Sequence, residues 1–288
     1  MDQPQASVNP LLNYMRQPKI YITLPSNGEY WPEGSLVKTE TNEYPVYSMT
    51  ARDELILQIP DALMNGQGVV DMIQSCVPNI KNAWDAPSID IDLILIAIRL
   101  ATFGDKYTVP LNFSDDLDME YQVSLTDIIQ TLASSIKWNP IIPINDQLTI
   151  YVKPLSYRDI TKMTIAGMET QKIMDIVADE SLNEEDKVNL FKESLGKLTA
   201  ITLGTVQASI YKVDTPNGST TDKNHIDEFV NNIDKEIFNQ VQQHLEMLKD
   251  INALKPIKIP VSDEMREKGY EGEFVEVPIQ FDPSNFFA

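Results

Sequence analysis

With 288 residues, of which 42% are hydrophobic and 23% charged, the chain has the composition of a globular protein and enough length for one large domain or two smaller ones. Its 43 acidic residues outnumber the 23 basic ones and give a net charge of −20 at pH 7. Because so acidic a surface repels phosphate backbones and anionic lipid headgroups, we expect no nucleic-acid or membrane partner, and basic surfaces of other proteins are favoured.

The chain has a single cysteine, Cys76, so an intramolecular disulfide and a multi-cysteine zinc site are both excluded. This usage fits folding in a reducing cytoplasm. The first residues carry neither a basic nor an apolar segment, so no secretory signal is predicted there. The most apolar run, 89–101, contains Asp90, Asp92 and Arg99 and is too short to span a bilayer.

Residues 1–18 contain three prolines among polar residues and are predicted to form an extended arm, either disordered or docked on a neighbouring subunit. From residue 19 the apolar residues alternate with period 2, and two turn sequences containing proline and glycine follow within 25–35. Together with extended pieces at 36–38 and 44–49, this pattern predicts a small antiparallel sheet.

Three helices are predicted next. A capping-box pattern, Thr50 with Asp53 three residues later, begins the first helix, which Pro60 ends. The second helix covers 69–76. The third covers 89–103 and is apolar on nearly every face, so it is predicted to lie at the centre of the domain.

Two strands, 106–113 and 119–125, are predicted to follow the central helix, joined by an acidic turn. A short helix extending to residue 136 comes next. A link marked by prolines then leads to a strand at 148–152.

The pattern becomes helical beyond residue 154. Helices are predicted over 159–177, 184–211 and 233–250, with a polar loop at 214–224 and strands at 257–261 and 274–281. In the second helix, apolar residues and one threonine alternate at spacings of three and four: Val188, Phe191, Leu195, Leu198 and Thr202.

The predicted fold class is therefore α+β, with small antiparallel sheets around a buried central helix and a helix-rich C-terminal half. The change of pattern near residue 154 suggests the main boundary. The predicted parts are an extended N-terminal arm (1–18), a mixed β/α domain (19–153), a helical region (154–252) and a C-terminal β segment with a tail (253–288).

The sequence shows no residue set that would carry catalysis. The histidines, His225 and His244, lie on a polar loop edge and on an amphipathic helix, and neither is near a nucleophile motif. Asp85, Asp90 and Asp92 flank a helix start, where acidic residues complement the helix dipole without a metal. We therefore predict no enzyme activity, catalytic residue, cofactor, metal site or small-molecule substrate.

Four aromatic residues are predicted to bind other proteins. Tyr30 and Trp31 lie in the turn-rich segment, for which a plain hairpin connection is favoured over a binding loop. Phe286 and Phe287, close to the end of an acidic chain, need a hydrophobic environment. The favoured interpretation is that they fold back on their own domain, and the alternative is that they insert into a neighbouring subunit.

The order of several segments resembles that of the T-even-type phage baseplate hub family. The segments are Leu24–Gly28, Tyr30–Ser35, Met49–Glu54, Asn65–Gly66, the helix with Asp92, Leu95, Ile98 and Arg99, then Tyr107, and finally Val277–Ile279 and Asp282–Phe287. The resemblance covers residues 19–153 and the last dozen residues. Many members of that family carry a cysteine pair, suggestive of zinc, after the central helix. Here that place, 109–114, has no cysteine, so no zinc site is implied.

The resemblance implies a non-enzymatic structural component of the hub of a contractile tail, which binds other hub and tail proteins during assembly. The alternative is a hub assembly chaperone that is absent from the mature virion. A tail-associated cell-wall hydrolase is a third hypothesis, disfavoured by the missing catalytic set. The implied location is the virion tail baseplate, with assembly in the host cytoplasm.

Overall fold

A computed structural model describes residues 11, 14–112, 118–135, 138–177, 183–267, 272–277 and 286–287. The strands are β1 (Pro18–Thr23), β2 (Glu43–Tyr47), β3 (Lys106–Asn112), β4 (Asp118–Ser124), β5 (Ile141–Asn145), β6 (Leu148–Val152), β7 (Ile210–Thr215), β8 (Gly218–Thr220), β9 (Ile257–Pro260) and β10 (Phe274–Val277). The helices are α1 (Ala51–Leu57), α2 (Pro60–Met64), α3 (Gln67–Cys76), α4 (Ser88–Phe103), α5 (Leu125–Ser135), α6 (Tyr157–Val177), α7 (Glu184–Ser209), α8 (Lys223–Asn232), α9 (Lys235–Asn252) and α10 (Asp263–Glu267). Small antiparallel sheets and a helix-rich C-terminal half confirm the predicted α+β class.

Helix α4 lies at the centre of the larger of two hydrophobic cores, as predicted. It is apolar around its whole circumference, and Ile94, Ile96 and Ile98 are completely buried. The sheet β1–β2 and the helices α3 and α5 pack against it. The helix ends where Gly104 takes a positive φ of 90°, a backbone conformation that side chains with a Cβ rarely adopt. We call the larger hydrophobic core, which surrounds α4, the first core.

Strands β1 and β2 cover one side of the first core. They pair in antiparallel register, with Ile22 opposite Tyr44, and the alternating residues Ile22, Tyr44 and Val46 are buried. The extended piece predicted at 36–38 forms only an isolated bridge between Leu36 and Ile80.

The second core lies between a four-stranded antiparallel sheet, in the order β5-β6-β7-β8, and the helices α8 and α9 with the C-terminal end of α7. Ile150 and Val213 come from the sheet, and Val206, Val230 and Val241 come from the three helices. Strands β5 and β6 therefore pack with the helices that follow them in the chain, although both precede residue 154.

The sequence interpretation was wrong around residues 210–224. The helix predicted to reach 211 ends at Ser209, and the predicted polar loop 214–224 is the hairpin β7–β8 and the start of α8. The segment Ile210–Thr215 pairs with β6, a strand distant in sequence, so its main stabilising contact is invisible to local periodicity. The turn residues at 216–218 were the available signal.

Two proline positions also differ from their predicted roles. Pro60 does not end a helix, because α1 stops at Leu57 and Pro60 occupies the first turn of α2, where its missing N–H costs little. Pro143 belongs to the predicted link marked by prolines, but it lies inside β5. This strand is at the edge of its sheet, where proline is tolerated.

The C-terminal strands return to the first core. Strand β9 pairs with β10, and Ile259, Val275 and Val277 are buried in that core. The predicted strand 274–281 is described only as far as residue 277. Residues 1–10, 12 and 13 of the predicted arm also lie outside the described residues, as do residue 113 of the predicted strand and residues 114–117 of the acidic turn.

Candidate interaction surfaces

Asp90, in the first turn of α4, holds the loop 24–35 against the first core. Its carboxylate accepts hydrogen bonds from the Ser26 amide at 2.8 Å, from Ser26 Oγ at 2.5 Å and from Trp31 Nε1 at 2.8 Å. Burial raises the pKa of Asp90 to about 6, while these three hydrogen bonds act in the opposite direction. Sequence reasoning gave Asp90 only a helix-dipole role, because a buried acid in a first helical turn resembles a solvated one in sequence.

Tyr30 and Trp31 lie in this loop and are half-buried. Trp31 packs against the first core, whereas the Tyr30 ring contacts Trp138 edge-on, with ring centroids 6.5 Å apart. Trp138 packs against the second core and donates a hydrogen bond from Nε1 to the Val152 carbonyl at 3.0 Å. The two neighbouring aromatic residues therefore connect the two cores.

The backbone at Tyr30 has an unfavourable conformation that the hydrogen bonds of Asp90 maintain. Its φ of 63° lies in the left-handed region, which is uncommon for a residue other than glycine and costs energy. The Asp90 hydrogen bonds to either side of Tyr30, at Ser26 and Trp31, hold the loop in this conformation.

Phe286 and Phe287 lie on the chain's own first core, with 0% and 7% of their surfaces exposed. The Phe286 ring contacts Tyr107 and Phe287 edge-on, each at a centroid distance of 5.1 Å. Arg99 places its Cζ atom 5.0 Å from the Phe286 ring and 4.7 Å from the Tyr107 ring. The structure thus shows the first of the two arrangements considered for these phenylalanines, folding back on their own domain.

Arg99 itself is stabilised chiefly by aromatic faces. Its Cζ atom also lies 5.0 Å from the ring of Phe103, and such cation–π contacts stabilise a guanidinium that has lost water. Its Nε and Nη1 atoms are buried, without a hydrogen-bond partner among the described residues. Burial lowers the pKa of Arg99.

The start of the described chain is anchored by Arg16. Its guanidinium donates to the Ser48 carbonyl at 2.7 Å and to the Ser75 carbonyl at 2.6 Å, and it lies 3.7 Å from the Asp53 carboxylate. Asp53 completes the predicted capping box with Thr50. Arg16 thus connects the segment that precedes β1 with helices α1 and α3.

Cys76 is buried at the end of α3, in the first core. Burial raises the pKa of its thiol to about 12, although the nearby Arg16 lowers it. A thiol held protonated in this way behaves as a small hydrophobic side chain.

Helices α6 and α7 form a hairpin whose outer surface is unusually apolar. Four residues of α7 are 44–54% exposed and follow one another at spacings of three and four: Val188, Phe191, Leu195 and Leu198. We call these four residues the α7 stripe. Met168, Met174 and Ile176 on α6 are also exposed. Contiguous apolar patches on soluble proteins mark interaction sites, so the hairpin is a candidate surface that the predicted site residues did not include.

The two histidines lie on different helices, His225 on α8 and His244 on α9. His244 Nε2 lies 3.0 Å from the Asn139 carbonyl, and the His225 amide donates to the Asp222 side chain that caps α8. Among the described residues, no three histidine, cysteine or acidic side chains come together as a metal would need. In the same part of the chain, no helix combines the length and apolar character required to cross a membrane.

Comparison with protein families identifies the chain. The family model described as "T4 bacteriophage base plate protein" matches residues 17–272, which is most of the sequence. The chain belongs to the T4-type phage baseplate family. No curated protein and no solved structure gives a significant match.

The matched span adds to what the segment order implied. It confirms the expected baseplate family and continues through the helical middle, where the sequence motifs showed no resemblance. It includes the loop held by Asp90 and the whole α6–α7 hairpin, whereas Phe286 and Phe287 lie beyond it. Membership identifies a phage baseplate protein, and it points to the tail baseplate as the location and to other tail proteins as the partners.

Proposed function

We propose that this baseplate protein is a structural component of the baseplate hub and binds other tail proteins while the tail assembles in the host cytoplasm. The observation that carries the proposal is the α7 stripe, which presents large apolar side chains to solvent in a family of tail proteins. Burying a fully exposed side chain of this kind contributes roughly 1.5–3 kcal/mol. Because these four are about half-exposed, a partner gains about half of that from each, and the four together would support specific binding.

The role is non-enzymatic. Asp90 and Arg99, whose pKa values are shifted by burial, hold the loop and the C-terminal phenylalanines in place. A zymogram on peptidoglycan checks this part of the proposal. Clearing by the purified protein would favour a tail-associated cell-wall hydrolase instead.

Complementation tests the assembly role. Phage with an amber mutation in this gene should produce heads without functional tails, and the wild-type protein supplied in trans should restore them. A Leu195→Asp/Leu198→Asp variant should fold but fail to restore tails. Leu55→Asp, which changes a still more exposed leucine on α1, should restore them. Normal contractile tails in the amber mutant, seen by electron microscopy, would overturn the proposal.

A permanent subunit and a departing chaperone predict different particles. Mass spectrometry of purified virions should detect peptides of this protein if it is built into the hub. Their absence from virions, combined with loss of tails in the amber mutant, would show an assembly chaperone.

A further inference from the structure

The spacing of the α7 stripe is that of one side of a coiled coil. Val188 and Leu195 occupy one repeated position of a seven-residue pattern, and Phe191 and Leu198 occupy the position three residues later. Thr202 continues the first position. A helix with this pattern packs along a second helix that has a matching apolar face, and each side chain fits between four of the partner.

Helix α6 does not supply that second helix. The residues that face inward in the hairpin are partly polar: Thr170 on α6 and Ser194 on α7 are 3% and 1% exposed, and Thr205 Oγ1 contacts Met163 Sδ at 3.3 Å. Lys197 of α7 pairs with Glu169 of α6 at 3.9 Å. Helix α7 therefore turns its more polar side toward α6 and leaves the α7 stripe half-exposed. This is the reverse of what an isolated helical hairpin in water requires.

The charges beside the α7 stripe indicate the chemistry of the partner. Three charged residues take the two positions that flank the apolar pair in the seven-residue pattern, where interhelical ion pairs form. They are Lys187, Lys192 and Glu185, which stands seven residues before Lys192. Within the described part of the chain, neither lysine makes an ion pair with a carboxylate, whereas Lys197 on the hairpin side makes two. Two unpaired lysines beside an apolar stripe, on a protein of net charge −20, favour a partner with acidic flanking residues.

A second copy of this chain fits these charges poorly. In a parallel pair of α7 helices, Lys187 of one copy would face Lys192 of the other, five residues further along, and like charges in these positions disfavour pairing. Two chains that each carry a net charge of −20 also repel one another at long range.

We propose that the α7 stripe binds an amphipathic helix of another tail protein, whose apolar face repeats every seven residues and is flanked by glutamate or aspartate. The proposal rests on the hub function proposed above and specifies the kind of partner. Lys187 and Lys192 select the partner by charge, and the four apolar side chains supply the contact area.

Two synthetic peptides of about four heptads test the proposal with the full-length protein. Both carry leucine at the two apolar positions, one has glutamate at the flanking positions, and the other has lysine there. By fluorescence anisotropy at low salt, the glutamate peptide should bind at least about tenfold more tightly than the lysine peptide. Added salt should reduce this preference, because it screens exposed charges.

Three variants locate the binding site. Leu195→Asp should weaken binding of the glutamate peptide by at least about 100-fold, since it places a charge in the centre of the contact. Leu55→Asp, the matched control, should bind like the wild type. The double variant Lys187→Glu/Lys192→Glu, which leaves every apolar residue in place, should reverse the preference and bind the lysine peptide.

Equal affinity for the two peptides, or no binding of either, would overturn the proposal, as would unchanged binding by Leu195→Asp. Analytical ultracentrifugation tests whether the α7 stripe binds a second copy of this chain instead. A wild-type dimer that the Leu195→Asp substitution dissociates would show such self-association and overturn the proposal. Failure of peptide binding together with lost tails in the Leu195→Asp/Leu198→Asp phage would leave the hub function standing. Peptide binding with normal tails in that phage would count against the hub function alone.

Discussion

Helices α4 and α7 both carry many apolar side chains, but they differ in what covers them. On α4 the apolar residues occupy the whole circumference, and elements from both ends of the chain bury them. On α7 they form one stripe that is about half-exposed, while the side toward α6 is more polar. An apolar pattern thus indicates that a helix face tends to be buried. Only the packing of neighbouring elements decides whether the same chain or a partner buries it.

The first core also buries charge, whereas α7 keeps its charges at the surface. Asp90 and Arg99, both on α4, are held by hydrogen bonds and by aromatic rings that come from distant parts of the chain. Lys192, on α7, is exposed. Changes to residues around α4 should therefore alter the stability of the isolated protein, whereas changes to the α7 stripe should alter binding.

The largest effect is expected for Phe286→Ala. The ring is completely buried against Tyr107 and Arg99, so its removal should lower the free energy of unfolding by about 3–5 kcal/mol, measured by urea denaturation. Phe274→Ala provides the control, because Phe274 is 53% exposed and its loss should cost far less. Equal stability of Phe286→Ala and the wild type, with loss of tail assembly, would mean that the phenylalanine serves a partner subunit.

A smaller effect, dependent on pH, is expected for Asp90. Its pKa is raised from 3.8 to about 6 in the folded protein, so the folded state holds the proton more tightly than the unfolded chain. The stability that protonation contributes is fully present below about pH 4 and is lost as the pH rises through about 6. The loss amounts to roughly 3 kcal/mol.

Asp90→Asn measures this contribution. Between pH 4 and pH 7, the free energy of unfolding of the wild type should fall relative to that of Asp90→Asn, because asparagine does not ionise. Asp61→Asn, at an exposed acid, is the control and should follow the wild-type curve. Parallel curves for wild type and Asp90→Asn would contradict the raised pKa.

The smallest effect is expected on α7. Leu195→Ala should change the free energy of unfolding by no more than about 0.5 kcal/mol, because the side chain is 54% exposed. Leu93→Ala, the same substitution in α4 at 1% exposure, should cost about 2–5 kcal/mol. Similar losses from both substitutions, measured by urea denaturation, would remove the distinction between the two helices.

Elements stabilised by local interactions could be predicted from the sequence. The helix α4 with its end at Gly104, the capping box of Thr50 and Asp53, and the strand β6 all have strong local patterns. The segment order also led to the correct phage family. Strands β5 and β7 were missed, because a proline at an edge and a pairing between distant segments leave weak local signals.

The candidate sites divide in the same way. The sequence drew attention to Tyr30, Trp31, Phe286 and Phe287 as large aromatic residues that need partners. It did not show that Trp31 bonds to Asp90, that Tyr30 meets Trp138, or that Arg99 lies beside Phe286. Each of these contacts joins residues far apart in the chain.

By itself, the sequence determined the α+β class, the apolar centre at α4 and the regular spacing of the α7 stripe, because all three follow from side-chain type and local period. The tertiary structure decided which apolar faces are covered and which are left exposed. That choice depends on the packing of segments distant in sequence, where burial of apolar area outweighs local preference. For this reason the α7 stripe became recognisable as a binding surface only once its neighbours were in place.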